Sequence, residues 1–292
     1  MSNKLSKRLQ TYELTVNDIH ETDIEKLHEL SIGVGWSHRP EDWQLLMQVG
    51  RGYVGCDEIG RVLGSAMWFP MGDDFATIGM VITSPRLQAL GAGRWLMNHV
   101  LQQCGDRDLR LNATREAYRL YISQSFEPIA VVCQHQGEAV DPGHVQVPGG
   151  AQIREAEAAD LAEMVRLDRE AYGADRTAIL EHLIRLSEGT VLMRDGRVAG
   201  FALCRPFGRG RVVGPIVTRD VDEAIALTAP HLAHHAGAFV RVDTDCSNSA
   251  FTAFLSRCGM PQYDTVTTMC LGMRRGEGGQ MRTFALSGHT LG

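Results

Sequence analysis

The residues most ready for chemistry are Gln88-Ala89-Leu90-Gly91-Ala92-Gly93, which follow a strand-like apolar run and open a helix-like one. Glycines there let the backbone approach a phosphate closely and aim N–H groups at it, and the helix dipole adds to the attraction. The same residues also suit a tight strand-to-helix turn that binds nothing. Other nucleotide cradles fit worse. There is no G-x-x-x-x-G-K-S/T, and no G-x-G-x-x-G on a first strand with an acidic residue about 20 positions later. No metal is expected: the 7 cysteines (Cys56, Cys104, Cys133, Cys204, Cys246, Cys258 and Cys270) form no C-x-x-C pair, and the 11 histidines do not fall at ligand spacing near them. His234-His235 reads as helix surface, because adjacent residues on a helix point about 100° apart. An odd cysteine count, with no apolar region behind the basic residues of Met1 to Gln10, argues against a disulfide framework and for a cytoplasmic protein.

A cradle of this kind must be positioned by a sheet and a helix, and the periodicity supplies both. A strand near Tyr12–Val16 precedes a helix near Thr22–Leu30 and another after Pro40, where Pro40, Glu41 and Asp42 suit a first helical turn. Strands follow at Arg51–Cys56, Val62–Phe69 and Phe75–Thr83, with Asp57-Glu58-Ile59-Gly60 as the turn of a hairpin. After Gln88 the period changes to about 3.6, with Leu96, Val100 and Cys104 on one face and Gly105 as the stop. A strand at Leu109–Ala113, a helix from Thr114 to about Ser125 and a strand at Ile129–Gln134 complete this half.

The second half repeats the plan. Arg61-Val62-Leu63-Gly64 is echoed by Arg197-Val198-Ala199-Gly200, and Ile78-Gly79-Met80-Val81-Ile82-Thr83 by Val213-Gly214-Pro215-Ile216-Val217-Thr218. Leu109-Arg110-Leu111 matches Val240-Arg241-Val242, and Ala117 to Tyr121 matches Ala250 to Phe254. The offsets stay between 131 and 136 residues, which means duplication of a domain. Between the copies, Gly137 to Gly150 holds two prolines and four glycines and reads as a linker. The expected division is a first domain at 1–136, a linker at 137–150, a second domain at 151–272 and a tail at 273–292, whose Phe284 and Leu286 should dock on the body. The 292 residues suit two domains, no apolar run is long enough to span a bilayer, and a formal charge of -6 argues against nucleic acid. The mild acidity favours cationic substrates.

Q-x-x-G-x-G after a strand resembles the acyl-CoA signature R/Q-x-x-G-x-G/A of the GCN5-related N-acetyltransferase (GNAT) superfamily. Thr83-Ser84-Pro85 is similar to the V-x-P of that family. Leu120-Tyr121 with Phe126 resembles its L-Y-x-x-x-G-F, with Ser125 in place of the glycine, which alters that turn. Gly35-Trp36, Leu111-Asn112-Ala113-Thr114, Leu167 to Arg176 and Gly214-Pro215-Ile216-Val217 are similar to a bacterial subgroup with two such domains in tandem. The resemblance, over about residues 12–272, implies an α+β chain of two tandem GNAT folds, each a mostly antiparallel central sheet with helices on both faces.

It also implies a division of labour at the site. The backbone of Gln88, Ala89, Leu90, Gly91, Ala92, Gly93 and Arg94 would hold the pyrophosphate of acetyl-CoA. Val81 and Thr83 would lie along the acyl-pantetheine arm, where one N–H stabilises the carbonyl oxygen as it gains charge, and Thr114 would also meet the cofactor. Tyr121 matches the position of the acid that protonates the departing thiolate, a role open to a phenol of ordinary pKa near 10; the bland reading is a core aromatic. The base is unassigned: the strand Phe75–Thr83 has no carboxylate, and His38, Asp73 and Asp74 read more readily as plain surface residues than as a base. Trp36 and His38 are candidates for the acceptor pocket, while Trp43, with Leu46 and Met47, reads as core. The expected activity is acetyl transfer to a primary amine of a small molecule; the alternative is a non-catalytic acyl-CoA-binding or sensing protein. Exposed sheet edges in this fold suit a homodimer, and no membrane partner is expected. The second copy, with Arg219-Asp220-Val221-Asp222-Glu223-Ala224 opposite the cradle and Phe254 opposite Tyr121, is expected to bind no cofactor.

Overall fold

Alternating and fully apolar runs build strands in the first half, and the one long 3.6-period segment packs across them. The computed structural model describes residues 6–9, 12–88, 90–276 and 278–292. Its chain divides into two compact units, Met1–Arg110 and Leu111–Gly292. In the first, β1 (Ser6–Leu9) and β2 (Tyr12–Asp18) precede α1 (Ile24–Gly33) and α2 (Pro40–Val49). Pro40 opens α2, and Asp42 accepts from the Arg39 N–H at 2.9 Å, so the expected first turn is capped by its own carboxylate. Then come β3 (Arg51–Cys56), β4 (Val62–Pro70) and β5 (Phe75–Thr83), joined in the order β1-β2-β3-β4-β5, all antiparallel. The β3–β4 turn is held by Asp57, whose Oδ1 accepts from the Ile59 and Arg61 N–H groups at 3.2 and 2.9 Å. Helix α3 (Ala92–Cys104) buries Leu96, Met97, Val100 and Cys104. It comes so close that a side chain on Gly64 of β4 would meet Leu96 Cδ1 at 2.9 Å and the Ile82 carbonyl oxygen at 3.0 Å. β6 (Asp108–Ala113) crosses the boundary between the units.

The second unit continues with α4 (Tyr118–Ile122) and β7 (Glu127–Glu138), then β8 (Ala151–Glu155), α5 (Leu161–Tyr172), α6 (Thr177–Leu186) and β9 (Glu188–Arg194). After these come β10 (Arg197–Phe207), β11 (Gly210–Thr218), α7 (Val221–His234), β12 (Phe239–Asp245), α8 (Ser249–Arg257), β13 (Gln262–Leu271) and β14 (Arg282–Ala285). The strands run β13-β7-β12-β11-β10-β9-β8, antiparallel except for the parallel β11–β12 pair, and β14 pairs with β11. Because β7 pairs with both β12 and β13, the last strand of the first sequence copy belongs to the sheet of the second unit. The division at 110/111 differs from the expected domain end at 136, which is counted by repeat. Among the described residues no helix is long and apolar enough to cross a membrane.

Several sequence expectations change. The helix expected over 114–125 is reduced to α4, because Thr114 to Ala117 form a turn whose Thr114 carbonyl accepts from the Ala117 and Tyr118 N–H groups. Cys133 and Cys246 form a disulfide, against the expectation of none; β7–β12 register sets Thr244 opposite Cys133, and a residue two further along comes within reach. The two imidazoles of His234 and His235 do not diverge. His235 lies past the end of α7 at φ -108° and ψ 25°, and the ring centroids are 4.6 Å apart. In the tail, Phe284 is buried but Leu286 only half so, and the contact is a strand rather than a loose apolar patch.

Candidate active site

The cradle begins with the turn Pro85–Leu87, which follows β5, and ends at the first turn of α3. Gly91 stands before that helix at φ 83° and ψ 12°, a left-handed conformation that a side chain would strain. It offers no side chain to cap the N–H groups of the first turn. A carbon placed on Gly91 would lie 4.0 Å from Lys7 Nζ, so an ammonium group of β1 stands beside these donors. Sequence reading missed Lys7, because nothing in its spacing links β1 to residue 91. The cradle is seated by Leu87 and Ala92, which are buried with Leu14 and Leu63, while Leu90 and Trp95 pack against that group. Gln88 and Arg94 are exposed, Gly93 is half-buried, and Gln88 Nε2 donates to the Thr83 carbonyl at 3.4 Å. Ala89 lies outside the described residues.

β5 is not the uniform strand its sequence suggests. Ser65 faces Ile82 and Met67 faces Gly79, so Met80 and Val81 together stand opposite Ala66. Met80 takes a positive φ of 51°, and its carbonyl accepts from Ser65 Oγ at 2.7 Å. Such a bulge bends the strand and increases its local twist. Val81, in the bulge, and Thr83, beyond it, are half-exposed, and Ile82 between them is buried. The duplication repeats this device: Ala202 faces Ile216 and Cys204 faces Val213, leaving Gly214 and Pro215 opposite Leu203.

Tyr121 is buried in α4, edge-to-face with Phe126 at 6.0 Å between centroids. Burial pushes its phenol above the ordinary value, which keeps the hydroxyl protonated and able to donate. Ser125 keeps the turn that a glycine would make: its φ is 67°, and the Phe126 N–H reaches the Tyr121 carbonyl at 3.1 Å. Thr114 is half-buried at the start of this turn. Asn112, two residues before it, donates to the His289 carbonyl at 2.7 Å and accepts from Thr268 Oγ1 at 2.7 Å. In the first unit Trp36 and His38 are half-buried neighbours, 5.6 Å between ring centroids. Trp43 is fully buried and donates from Nε1 to Ser31 Oγ at 2.9 Å, a core role as its spacing implies. Asp73 and Asp74 are exposed at the start of β5.

The matching places in the second unit are filled from within. Asp220 caps α7 by accepting from the Glu223 N–H at 2.9 Å. Glu223 is buried, accepts from Thr218 Oγ1 and the Arg219 N–H, and pairs with Arg194 at 2.7 Å. Past its bulge β11 no longer pairs with β12. Ile216, Val217 and Thr218 pair instead with Ala285, Thr283 and Arg282 of β14. The strand is tied to β12 by Thr244 Oγ1, which donates to the Phe284 carbonyl, and by the Leu286 N–H, which donates to the Asp243 carbonyl. The segment after it is held by Arg205, which donates to the Ser287 carbonyl at 2.8 Å. Arg176, fully buried with Asp168, donates to the Leu291 and Gly292 carbonyls. Phe254, opposite Tyr121 in the repeat, is buried and stacked on Phe251.

Comparison with known proteins fits this architecture. Residues 20–126 match the profile described as the Acetyltransferase (GNAT) family, and residues 164–285 that of the Acetyltransferase (GNAT) domain. An uncharacterised N-acetyltransferase of Bacillus subtilis (strain 168), YitH, is 25% identical over 250 residues, covering 84% of this chain and 87% of that protein. A crystal structure from Pyrococcus horikoshii, described as a candidate acetyltransferase, superposes with a TM-score of 0.79 at 17% identity over 100% of this chain and 99% of that one. A tandem GNAT protein from the clavulanic acid biosynthesis pathway does so with a TM-score of 0.63 at 17% identity, covering 89% and 99%. With one match in each half of its sequence, the chain belongs to the GNAT superfamily of N-acetyltransferases as a tandem, two-domain member.

Proposed function

We propose that this chain is an acetyl-CoA-dependent N-acetyltransferase acting on a primary amine of a small molecule, with one working copy of the fold and one that binds no cofactor. The observation that carries this reading is the contrast between two matching helix starts. α3 opens on Gly91, with no side chain over its donors and Lys7 beside it; α7 opens on Asp220 and Glu223, which take the corresponding donors themselves. A pyrophosphate suits the first and is repelled by the second. β14 adds to the contrast, since it takes the β11 edge that matches Val81–Thr83.

When bound, acetyl-CoA supplies the activated thioester from which the acetyl group passes to the amine. The chain's own part is binding, orientation and proton movement. The backbone of Gln88, Ala89, Leu90, Gly91, Ala92, Gly93 and Arg94 would hold the pyrophosphate, with Lys7 adding charge. The backbone of Val81 and Thr83 would orient the acyl arm, with Thr114 as a further cofactor contact. Tyr121, protonated by virtue of its burial, would give its hydroxyl proton to the leaving sulfur. Trp36 and His38 would wall the acceptor pocket. No base is assigned, since β5 carries no carboxylate.

Release of free CoA thiol against a panel of amines tests the activity. Tyr121→Phe should lower kcat by about 10²-fold and leave CoA affinity nearly unchanged. A chain that binds CoA yet releases thiol with no amine would be the sensing protein instead. We take the molecule to work without nucleic acid or membrane, with a homodimer formed through sheet edges. A cytoplasmic setting accords with the free, buried Cys56, Cys104, Cys204, Cys258 and Cys270, and the Cys133–Cys246 bridge weighs against it. Thiol counting on protein taken directly from cells decides between them.

A further inference from the structure

Away from the acyl-transfer residues, three metal-ligand side chains meet at the end of α7. His234 is the last residue of that helix and His235 the first beyond it, so the two rings swing to the same side. His235 Nε2 lies 2.9 Å from Glu188 Oε2, and His234 Nε2 lies 3.9 Å from the same oxygen. The three donor atoms all fall within 4.8 Å of one another. Glu188 opens β9, and its other oxygen, Oε1, is 3.2 Å from Arg211 Nη1 on β11. That ion pair turns the carboxylate so that Oε2 faces both imidazoles.

We propose that Glu188 Oε2, His234 Nε2 and His235 Nε2 form a binding site for a divalent cation of the zinc class, held by three protein ligands and open to water at the fourth. Two imidazoles with one carboxylate are a borderline donor set, suited to Zn²⁺ and its neighbours rather than to Mg²⁺ or Ca²⁺, which take oxygen ligands. Bonds of about 2.0–2.2 Å to such a metal put tetrahedral donors roughly 3.3 Å apart. The observed 2.9 and 3.9 Å straddle that spacing. The ring that must move is that of His234, whose side chain is 70% exposed and free to turn, while His235 at 9% is held in place. A hydrogen bond explains His235 on Glu188. It does not explain His234, which is too far from Oε2 for one. His231, one turn earlier, is committed elsewhere: its Nε2 bonds to Thr190 Oγ1 at 3.1 Å. The arrangement has a physical consequence, since a bound cation would tie the end of α7 to β9 and, through Arg211, to β11.

The site is independent of the acetyltransferase reading and is tested without it. The full-length, metal-stripped protein is dialysed against ZnCl₂ and its bound metal measured, with thermal unfolding followed in parallel. One zinc per chain is expected from this cluster, with a rise in Tm of about 5 °C at zinc well above Kd. His234→Ala removes an exposed ligand and should keep its Tm in EDTA while losing at least about tenfold in zinc affinity, as should Glu188→Gln. His144→Ala, exposed and outside the cluster, should bind as the parent does. Zinc held equally well by His234→Ala, displacement by equimolar Ca²⁺, or no binding at millimolar zinc would each overturn the assignment.

Discussion

Tyr121 and Phe254 fill matching places in the two copies and differ by one oxygen atom. Both are buried, so packing alone gives no reason for the hydroxyl in one of them. Ser125 makes a similar point: it accepts the left-handed conformation that most residues avoid, and the turn behind Tyr121 survives the loss of glycine. His231 carries a consequence for stability. Burial holds its pKa down at about 4, against 6.5 in the unfolded chain. The unfolded state therefore binds the extra proton first as pH falls. The stabilisation is fully present above 6.5 and is lost between there and about 4, a change of about 3 kcal/mol over that window. His235, also lowered by burial, acts in the same direction. Urea unfolding from pH 7.5 down to 4.5 should show this slope, and His231→Gln should flatten it. An equal slope in the variant would mean that other groups are responsible.

At the scale of elements, β14 most changes the picture. Its sequence, Arg282-Thr283-Phe284-Ala285, offers only a short apolar patch after a glycine-rich stretch, yet it completes the pairing of β11 where β12 departs. Removing residues 280–292 would take away the buried Phe284, Ala285 and Leu291 and deprive the buried Arg176 and Arg205 of their carbonyl acceptors in the tail. The two effects together should cost more than about 3 kcal/mol. Differential scanning calorimetry of the truncated chain should show a lower Tm, and an unchanged transition would rule out a structural role for the strand. The repeated bulge is the other element-scale feature. It recurs in both copies one repeat position apart, although Met80-Val81 and Gly214-Pro215 share no side-chain chemistry.

For the whole molecule the proposal is one cofactor per chain. Isothermal titration with CoA should give a stoichiometry near one. Gly93→Val should abolish that binding, because its Cβ would stand where the phosphates approach the backbone. Asp220→Gly, which loosens the self-made cap of α7, should not create a second site while β14 and Glu223 stay in place. Two equivalent sites would remove the proposed division of roles.

Local signals carry far in this chain. Three strands, Arg51–Cys56, Val62–Pro70 and Phe75–Thr83, follow from alternation and turn residues within one residue of their ends. The duplication follows from self-comparison at 131–136 residues, and the cradle from two glycines at the start of a helix. Each depends on neighbours in sequence or on the repeat, so no long-range pairing is needed to see it. Lys7 beside Gly91, the Cys133–Cys246 bridge, β7 between β12 and β13, and Glu188 beneath two histidines are of another kind. They depend on strand register and helix termination, which are fixed by packing between segments up to 113 residues apart, as for the two cysteines. A one-residue slip in register, or one more residue of helix at His235, would separate those groups while leaving every local pattern in the sequence as it is.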